Sequence, residues 1–116
     1  MRIHHLALRV FDPEAAVAFY SDLLGLPVLR RFMEGGRVRS IWLQAQGWVL
    51  MLERTLRPEG AETGSAHVLA FAVDDLAAWE ARLAAARVSI ADRTPYTLYI
   101  RDPDGHRVAL SVHPSS

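Results

Sequence analysis

The sequence of 116 residues lacks cysteine, which excludes a disulfide framework, a thiolate metal site and a cysteine nucleophile. It also lacks an excess of either charge, because 13 basic residues balance 13 acidic ones and no basic run occurs. This balance argues against nucleic acid or a membrane surface as partner. No apolar run approaches the ~20 residues of a membrane span, and two histidines interrupt the N-terminus where a signal peptide would be apolar. We therefore expect a cytoplasmic protein that binds a small molecule.

Hydrophobic residues make up 51% of the chain, enough for the core of one domain. The segment "RIHHLALRV" alternates like a strand and leads into "FDPEAAVAFYSDLLGL". There Asp12 can cap a helix, Pro13 suits its first turn and Gly25 can end it. The next segments, "PVLRRFMEGG", "RVRSIWLQAQ" and "WVLMLER", predict three antiparallel strands joined by glycine turns.

The second half repeats this order. "AHVLAFAVDDLAAWEARLAAARV" predicts a strand, a cap at Asp74 or Asp75, and a helix. An extended piece at "VSIA", the strand "YTLYIR", the turn "DPDG" and the strand "HRVALSVH" follow. His5 precedes Asp12 by seven residues, and His67 precedes Asp74 by seven. This spacing indicates a duplication.

The predicted fold is α+β, with two βαβββ modules in one domain that spans residues 1–116. The modules cover about 1–54 and 66–113, and the polar, aperiodic segment 55–65 connects them. Each helix would cover one face of its sheet, so we expect the other faces to border a shared cleft.

Strand alternation places His5, Ala7 and Arg9 on one face of the first strand, with His4 pointing away. The repeat would set His5 and His67 in equivalent positions, facing each other across the cleft. Two such imidazoles could begin a zinc, iron, manganese or nickel site, which carboxylates usually complete.

Two stretches, "HHLALRVFDPEAAVAFYSDLLGLPVL" and "RDPDGHRVAL", resemble the vicinal oxygen chelate superfamily of glyoxalase I, bleomycin-resistance proteins and extradiol dioxygenases. The resemblance covers nearly the whole chain. It implies two βαβββ modules in a curved, partly open barrel, and pairing of short chains as homodimers. The sequence leaves open whether the chain dimerises or closes its own cleft as a monomer.

The resemblance also implies that metal ligands come from the first and fourth strands of each module. The first-strand positions would be His5 and His67. The fourth-strand position of the first module is Met51, with Glu53 two residues further on the same face, and that of the second module is Ala109. A divalent metal (Zn, Ni, Mn or Fe) would thus be held by an incomplete set, lacking donors at Met51 and Ala109.

Several other side chains are candidates for binding a ligand. Arg9 and Arg101 could hold an anionic or carbonyl group through the guanidinium fork. Trp42, Trp48, Phe71 and one tyrosine, Tyr99 rather than Tyr96, could line an aromatic pocket, and Met51 and Ala109 would leave apolar cavity volume.

Two functions remain open. One is a metal-free module that sequesters a small oxygenated or aromatic molecule. The other is a metal-dependent lyase, isomerase or dioxygenase that uses His5, His67 and Glu53, in which Glu53 or a bound water moves the proton. A metal-free enzyme using a cavity histidine as acid or base is a third, lesser alternative.

Overall fold

The computed structural model describes residues 1–55 and 67–113. The chain divides into two compact units, Met1–Gly60 and Ala61–Ser116. Each unit contains a strand, a helix and three further strands, so the prediction of an α+β fold with two βαβββ units is confirmed. The predicted connection 55–65 lies outside the described residues apart from Thr55. In the part of the chain that is described, no helix has the length and apolar character needed to cross a membrane.

The first unit has four strands in the order β1-β4-β3-β2, in which β1 is parallel to β4 and the other pairs are antiparallel. The order is linear, so this sheet is not closed into a barrel. Its elements are β1 His5–Val10, α1 Pro13–Val17, a π-helical segment Ala18–Leu23, β2 Val28–Glu34, β3 Arg37–Ala45 and β4 Trp48–Arg54.

Helix α1 begins where the sequence predicts. The carboxylate of Asp12 accepts hydrogen bonds from the backbone N–H groups of Glu14 (3.1 Å) and Ala15 (3.4 Å), as an N-cap residue does. The helix continues as a π-helical segment, which the sequence does not predict. In this segment the neighbours Phe19 and Tyr20 are both buried, and their rings meet edge to face at 4.9 Å.

The hairpin of β2 and β3 turns at the predicted glycines and then contains a β-bulge. Met33 pairs with Val38 next to the turn, whereas Phe32 pairs with Ser40, so Arg39 is an extra residue in β3. Because of this bulge, Phe32 lies on the same face of the sheet as Ser40. Arg31 lies on the opposite face.

The second unit has the strand order β5-β8-β7-β6, again linear and with its first strand parallel to its last. Its elements are β5 Leu69–Ala72, α2 Leu76–Ala85, β6 Asp92–Arg93, β7 Thr97–Arg101 and β8 Arg107–Ser111. Of the two candidate caps, Asp75 is the one used: its carboxylate accepts from the backbone N–H of Ala78 at 3.2 Å.

The turn "DPDG" between β7 and β8 is organised by its first residue. Asp102 is only 5% exposed, and one of its carboxylate oxygens accepts from the N–H groups of Asp104 (2.9 Å) and His106 (2.8 Å). Gly105 has a φ of +85°, which glycine adopts without strain. The turn thus fixes where β8 begins.

Candidate functional site

The first sheet has one face packed towards α1 and a second face directed away from it, here called the far face. In the second sheet the far face is the one opposite the buried residues Leu98, Ile100, Val108 and Leu110. In the first unit the residues of β3 and β4 that face α1 are fully buried: Ile41, Leu43, Leu50 and Leu52. The pairing registers assign the alternating residues to the far face. The far face of the first sheet carries His5, Ala7, Arg9, Arg30, Phe32, Ser40, Trp42, Gln44, Val49, Met51 and Glu53.

A hydrogen-bonded group occupies the centre of this far face. The indole Nε1 of Trp42 donates to Ser40 Oγ at 3.1 Å, and Ser40 Oγ donates to Glu53 Oε1 at 3.0 Å. Ser40 is 4% exposed, while Trp42 and Glu53 are half-buried. The ring of Phe32 lies 4.9 Å from that of Trp42. Together with Arg39, these residues line a pocket of about 180 Å³.

Arginines occupy strand positions next to this pocket. Arg9 is the register partner of Glu53 on β1, and the guanidinium of Arg30 lies 4.6 Å from the centre of the Phe32 ring. Of the predicted binding residues, Arg9, Trp42 and Met51 therefore share one face with Glu53. Such a surface can take a flat ring against Trp42 and Phe32, and its polar groups can bind oxygen or nitrogen substituents.

His5 lies on the same face but away from Glu53. Its register partner on β4 is Val49, whereas Glu53 stands level with Arg9, four residues further along and therefore ~13 Å away. The expectation that His4 points away from His5 is wrong, because their Nδ1 atoms are 2.9 Å apart. Strand β1 begins at His5, so strand alternation does not apply to His4.

In the second unit, Ala109 and Tyr99 lie side by side on the far face. Ala109 is 2% exposed and stands between Ala70 on β5 and Tyr99 on β7. The guanidinium of Arg107 lies 4.5 Å from the centre of the Tyr99 ring. Tyr99 and Ala109, each predicted to bind a ligand, thus share a face.

Two other predicted binding residues lie elsewhere. Phe71 pairs with Leu110, which in turn pairs with Leu98, so it belongs to the side of the sheet that carries the buried core. Arg101 is exposed and donates to the carbonyl of Gly105 at 2.8 Å, which ties it to the turn. Within the second unit, Phe71 therefore lies on the face opposite Tyr99.

The two units correspond residue by residue across their far faces. In the first, Met51 stands between Ala7 and Trp42; in the second, Ala109 stands between Ala70 and Tyr99. A side-chain hydrogen bond recurs at matching places: Ser40 with Glu53 in the first unit, and Thr97 with Ser111 at 2.8 Å in the second. The correspondence fixes which residue of β5 matches each residue of β1.

The residue that matches His5 is Val68. His5 precedes Ala7 by two residues, and the residue two before Ala70 is Val68. The helix caps agree, because His5 lies seven residues before Asp12 and Val68 lies seven residues before Asp75. His67 lies one residue earlier, so by both counts it is not the residue that matches His5.

These positions do not fit the four-ligand metal site that the resemblance implies. Val68, Met51 and Ala109 supply no nitrogen or oxygen donor of the kind that zinc, nickel, manganese or iron prefers, which leaves His5. Across residues 1–55 and 67–113, no group of three or more histidine, aspartate or glutamate side chains is arranged to hold a metal ion.

Sequence reasoning missed Phe32 and Ser40. Ser40 is two residues before Trp42 in β3, so strand alternation alone predicts that the two side chains share a face. Phe32 could not, because an unbulged hairpin counted from Gly35 and Gly36 would put it opposite Arg39 and on the helix side.

A profile of the Glyoxalase/Bleomycin resistance protein/Dioxygenase superfamily matches residues 2–110. A search of curated protein sequences finds no significant match.

Among solved structures, lactoylglutathione lyase from Agrobacterium tumefaciens is 26% identical with a TM-score of 0.71, over 95% of this chain and 92% of that one. The fosfomycin resistance protein FosX from Listeria monocytogenes is 15% identical with a TM-score of 0.80, over 95% and 89%. TnmS3, an antibiotic binding protein from Streptomyces sp. CB03234, is 22% identical with a TM-score of 0.73, over 96% and 94%. The last two likenesses are likenesses of fold.

Proposed function

Because the chain belongs to the Glyoxalase/Bleomycin resistance protein/Dioxygenase superfamily, we propose that it binds a small aromatic or oxygenated molecule on the far face of its first sheet, without a metal ion. One observation carries the proposal. The resemblance implies ligands on the first and fourth strands of each unit, and the pairing registers make Val68, and not His67, the match of His5. Three of the four positions, Val68, Met51 and Ala109, therefore bear alkyl or thioether groups.

The pocket on the far face supports a binding role. Phe32 and Trp42 offer two ring surfaces, and offset or edge contacts with an aromatic ligand are worth about 0.5–1.5 kcal/mol beyond the area they bury. Glu53 retains acceptor capacity after its bond to Ser40, because a carboxylate has about four lone-pair sites. A ligand with a ring and a hydrogen-bond donor fits these groups.

The alternative, a metal-dependent lyase, isomerase or dioxygenase, is less well supported. It requires His5, His67 and Glu53 to converge, yet Glu53 is ~13 Å along its strand from the partner of His5. His67 also lies one residue before Val68, the residue that matches His5. A homodimer and a cytoplasmic location stay predictions, the first of which light scattering of the purified protein would test.

The binding proposal is tested with metal analysis and a fluorescent probe. We expect the protein, purified after growth with zinc, nickel, manganese and iron, to contain far less than one metal ion per chain, and its melting temperature not to rise when these ions are added. We expect the metal-free protein to bind a planar aromatic probe, 1-anilinonaphthalene-8-sulfonate, or bleomycin.

A matched pair of tryptophan variants locates the site. Trp42→Leu should weaken probe binding at least tenfold, because it removes the larger ring of the pocket. Trp48→Leu should change it less than twofold, because Trp48 has the register of the helix side, next to Ala45. Stoichiometric metal with a large gain in melting temperature would favour the enzyme, and equal effects of the two variants would exclude the far face as the site.

A further inference from the structure

A second and larger cavity lies in the first unit, at one end of the same sheet. It has a volume of about 420 Å³ and is formed where β1 and β4 end and α1 and β3 begin. This volume falls in the range of small-molecule sites, about 300–1,000 Å³. Its lining residues are Phe11, Asp12, Pro13, Glu14, Arg37, Val38, Arg54 and Thr55.

The two acidic residues of the lining are already engaged. Asp12 caps α1 through two backbone N–H groups. Glu14 accepts two hydrogen bonds from Arg31, from Nε at 2.9 Å and from Nη2 at 3.3 Å. This hydrogen bonding raises the pKa of Arg31 above its ordinary value, as expected for a bidentate pair.

The two arginines of the lining keep donors for a further partner. Arg54 is half-buried, and its Nε donates to the carbonyl of Val38 at 3.0 Å, which orients the guanidinium while its terminal N–H groups stay outside that bond. Arg37 is exposed and forms no ion pair within the described residues. Arg37 and Arg54 therefore border the cavity as cations, while the two carboxylates of the lining already accept hydrogen bonds from other groups.

The apolar part of the lining restricts the shape of the occupant. Phe11 is 60% exposed, and Pro13 and Val38 add two further apolar surfaces. A ring can lie against these groups while an anionic substituent accepts from the arginine fork, which suits a carboxylate geometrically.

We propose that this cavity binds a small aromatic carboxylate, with the ring against Phe11 and the carboxylate at Arg37 and Arg54. The inference rests on different residues from the far-face site and stands independently of it. No residue of one pocket lines the other.

Calorimetric titration of the whole protein with 2-naphthoate tests the proposal. We expect binding of one molecule per chain, and at least tenfold weaker binding of the uncharged analogue 2-naphthalenemethanol. Arg37→Glu should weaken 2-naphthoate binding at least tenfold, and Phe11→Ser at least fivefold. Both residues are exposed, so both variants should fold, which circular dichroism would check.

A control variant makes the test specific. Arg2→Glu makes the same charge change at the opposite end of β1, ~20 Å from the cavity, and should alter affinity less than twofold. The proposal is overturned if 2-naphthoate does not bind at millimolar concentration, or if Arg37→Glu binds it as tightly as the natural protein does. It is also overturned if Trp42→Leu, and not Arg37→Glu, abolishes binding, since the probe would then occupy the far face.

Discussion

Removing the hydroxyl of Ser40 tests whether the group on the far face of the first sheet is a connected network. In Ser40→Ala the indole N–H of Trp42 loses its acceptor and Glu53 loses a donor, at 3.1 and 3.0 Å respectively. Ser40 itself is 4% exposed, so water can reach its two former partners only from their own exposed sides.

The expected cost follows from the two bonds. A neutral hydrogen bond contributes about 0.5–1.5 kcal/mol to stability, and one to a charged group about 1.5–3 kcal/mol. Trp42 and Glu53 are only half-buried, so water can partly replace Ser40 at both. We therefore expect a loss near the lower end of the combined range, about 2 kcal/mol.

Urea unfolding followed by tryptophan fluorescence would measure this loss. Ser40→Thr is the matched control, because it keeps the hydroxyl and the second unit has Thr97 at the corresponding position. We expect Ser40→Thr to cost less than 0.5 kcal/mol. A cycle combining Ser40→Ala with Glu53→Ala should give a coupling energy of about 1 kcal/mol, since each variant removes the same bond.

A coupling energy of zero within error would refute the reasoning. Ser40 and Glu53 would then contribute independently, and their 3.0 Å contact would add nothing to the stability of the unit. Equal losses in the threonine and alanine variants would likewise show that side-chain size, and not the hydroxyl, is what matters there.

One further prediction tests the turn between β7 and β8. Asp102→Ala should lower the free energy of unfolding by about 1–3 kcal/mol, because it leaves two backbone N–H groups without their acceptor. If Asp102→Ala leaves the urea midpoint of unfolding unchanged, water satisfies the backbone N–H groups of Asp104 and His106.

The features that the sequence predicts well depend on local chemistry. Asp12 caps α1 because its side chain bonds to N–H groups only two and three residues away. Gly35 and Gly36 both have positive φ, so the hairpin turn is encoded within two residues. Interactions of this kind need no knowledge of the rest of the chain.

The site was harder to predict because it depends on counting along strands. Asp74 and Asp75 are both able to cap a helix, and counting seven residues back from Asp74 gives His67, whereas counting from Asp75 gives Val68. A shift of one residue moves a side chain to the other face of the sheet. The choice between the adjacent aspartates therefore decides which residue of the second unit matches His5.

The bulge in β3 has the same effect on the first unit. Arg39 interrupts the pairing, so Phe32 joins Trp42 on the far face and Arg31 reaches Glu14 on the other. Nothing in the alternation of "RVRSIWLQA" marks Arg39 as the extra residue. The bulge places Phe32 beside Trp42 and Arg31 beside Glu14. These contacts form only when the helix is packed on the sheet, so the local sequence does not predict them.

The charge of Glu53 has no counterpart in the second unit. At the corresponding place Ser111 bonds to Thr97 at 2.8 Å, so two hydroxyls satisfy the same position in the sheet. The fold thus needs a hydrogen-bonding partner there and not an anion, and the carboxylate at Glu53 supplies more than the fold requires.

Glu53→Gln keeps an oxygen for Ser40 and should cost less than about 1 kcal/mol in urea unfolding. If the carboxylate receives a donor from the ligand on the far face, the same variant should weaken binding of an amine-bearing aromatic such as bleomycin at least fivefold. A variant that loses stability but not affinity would reverse this assignment, and would make Glu53 a residue of the fold alone.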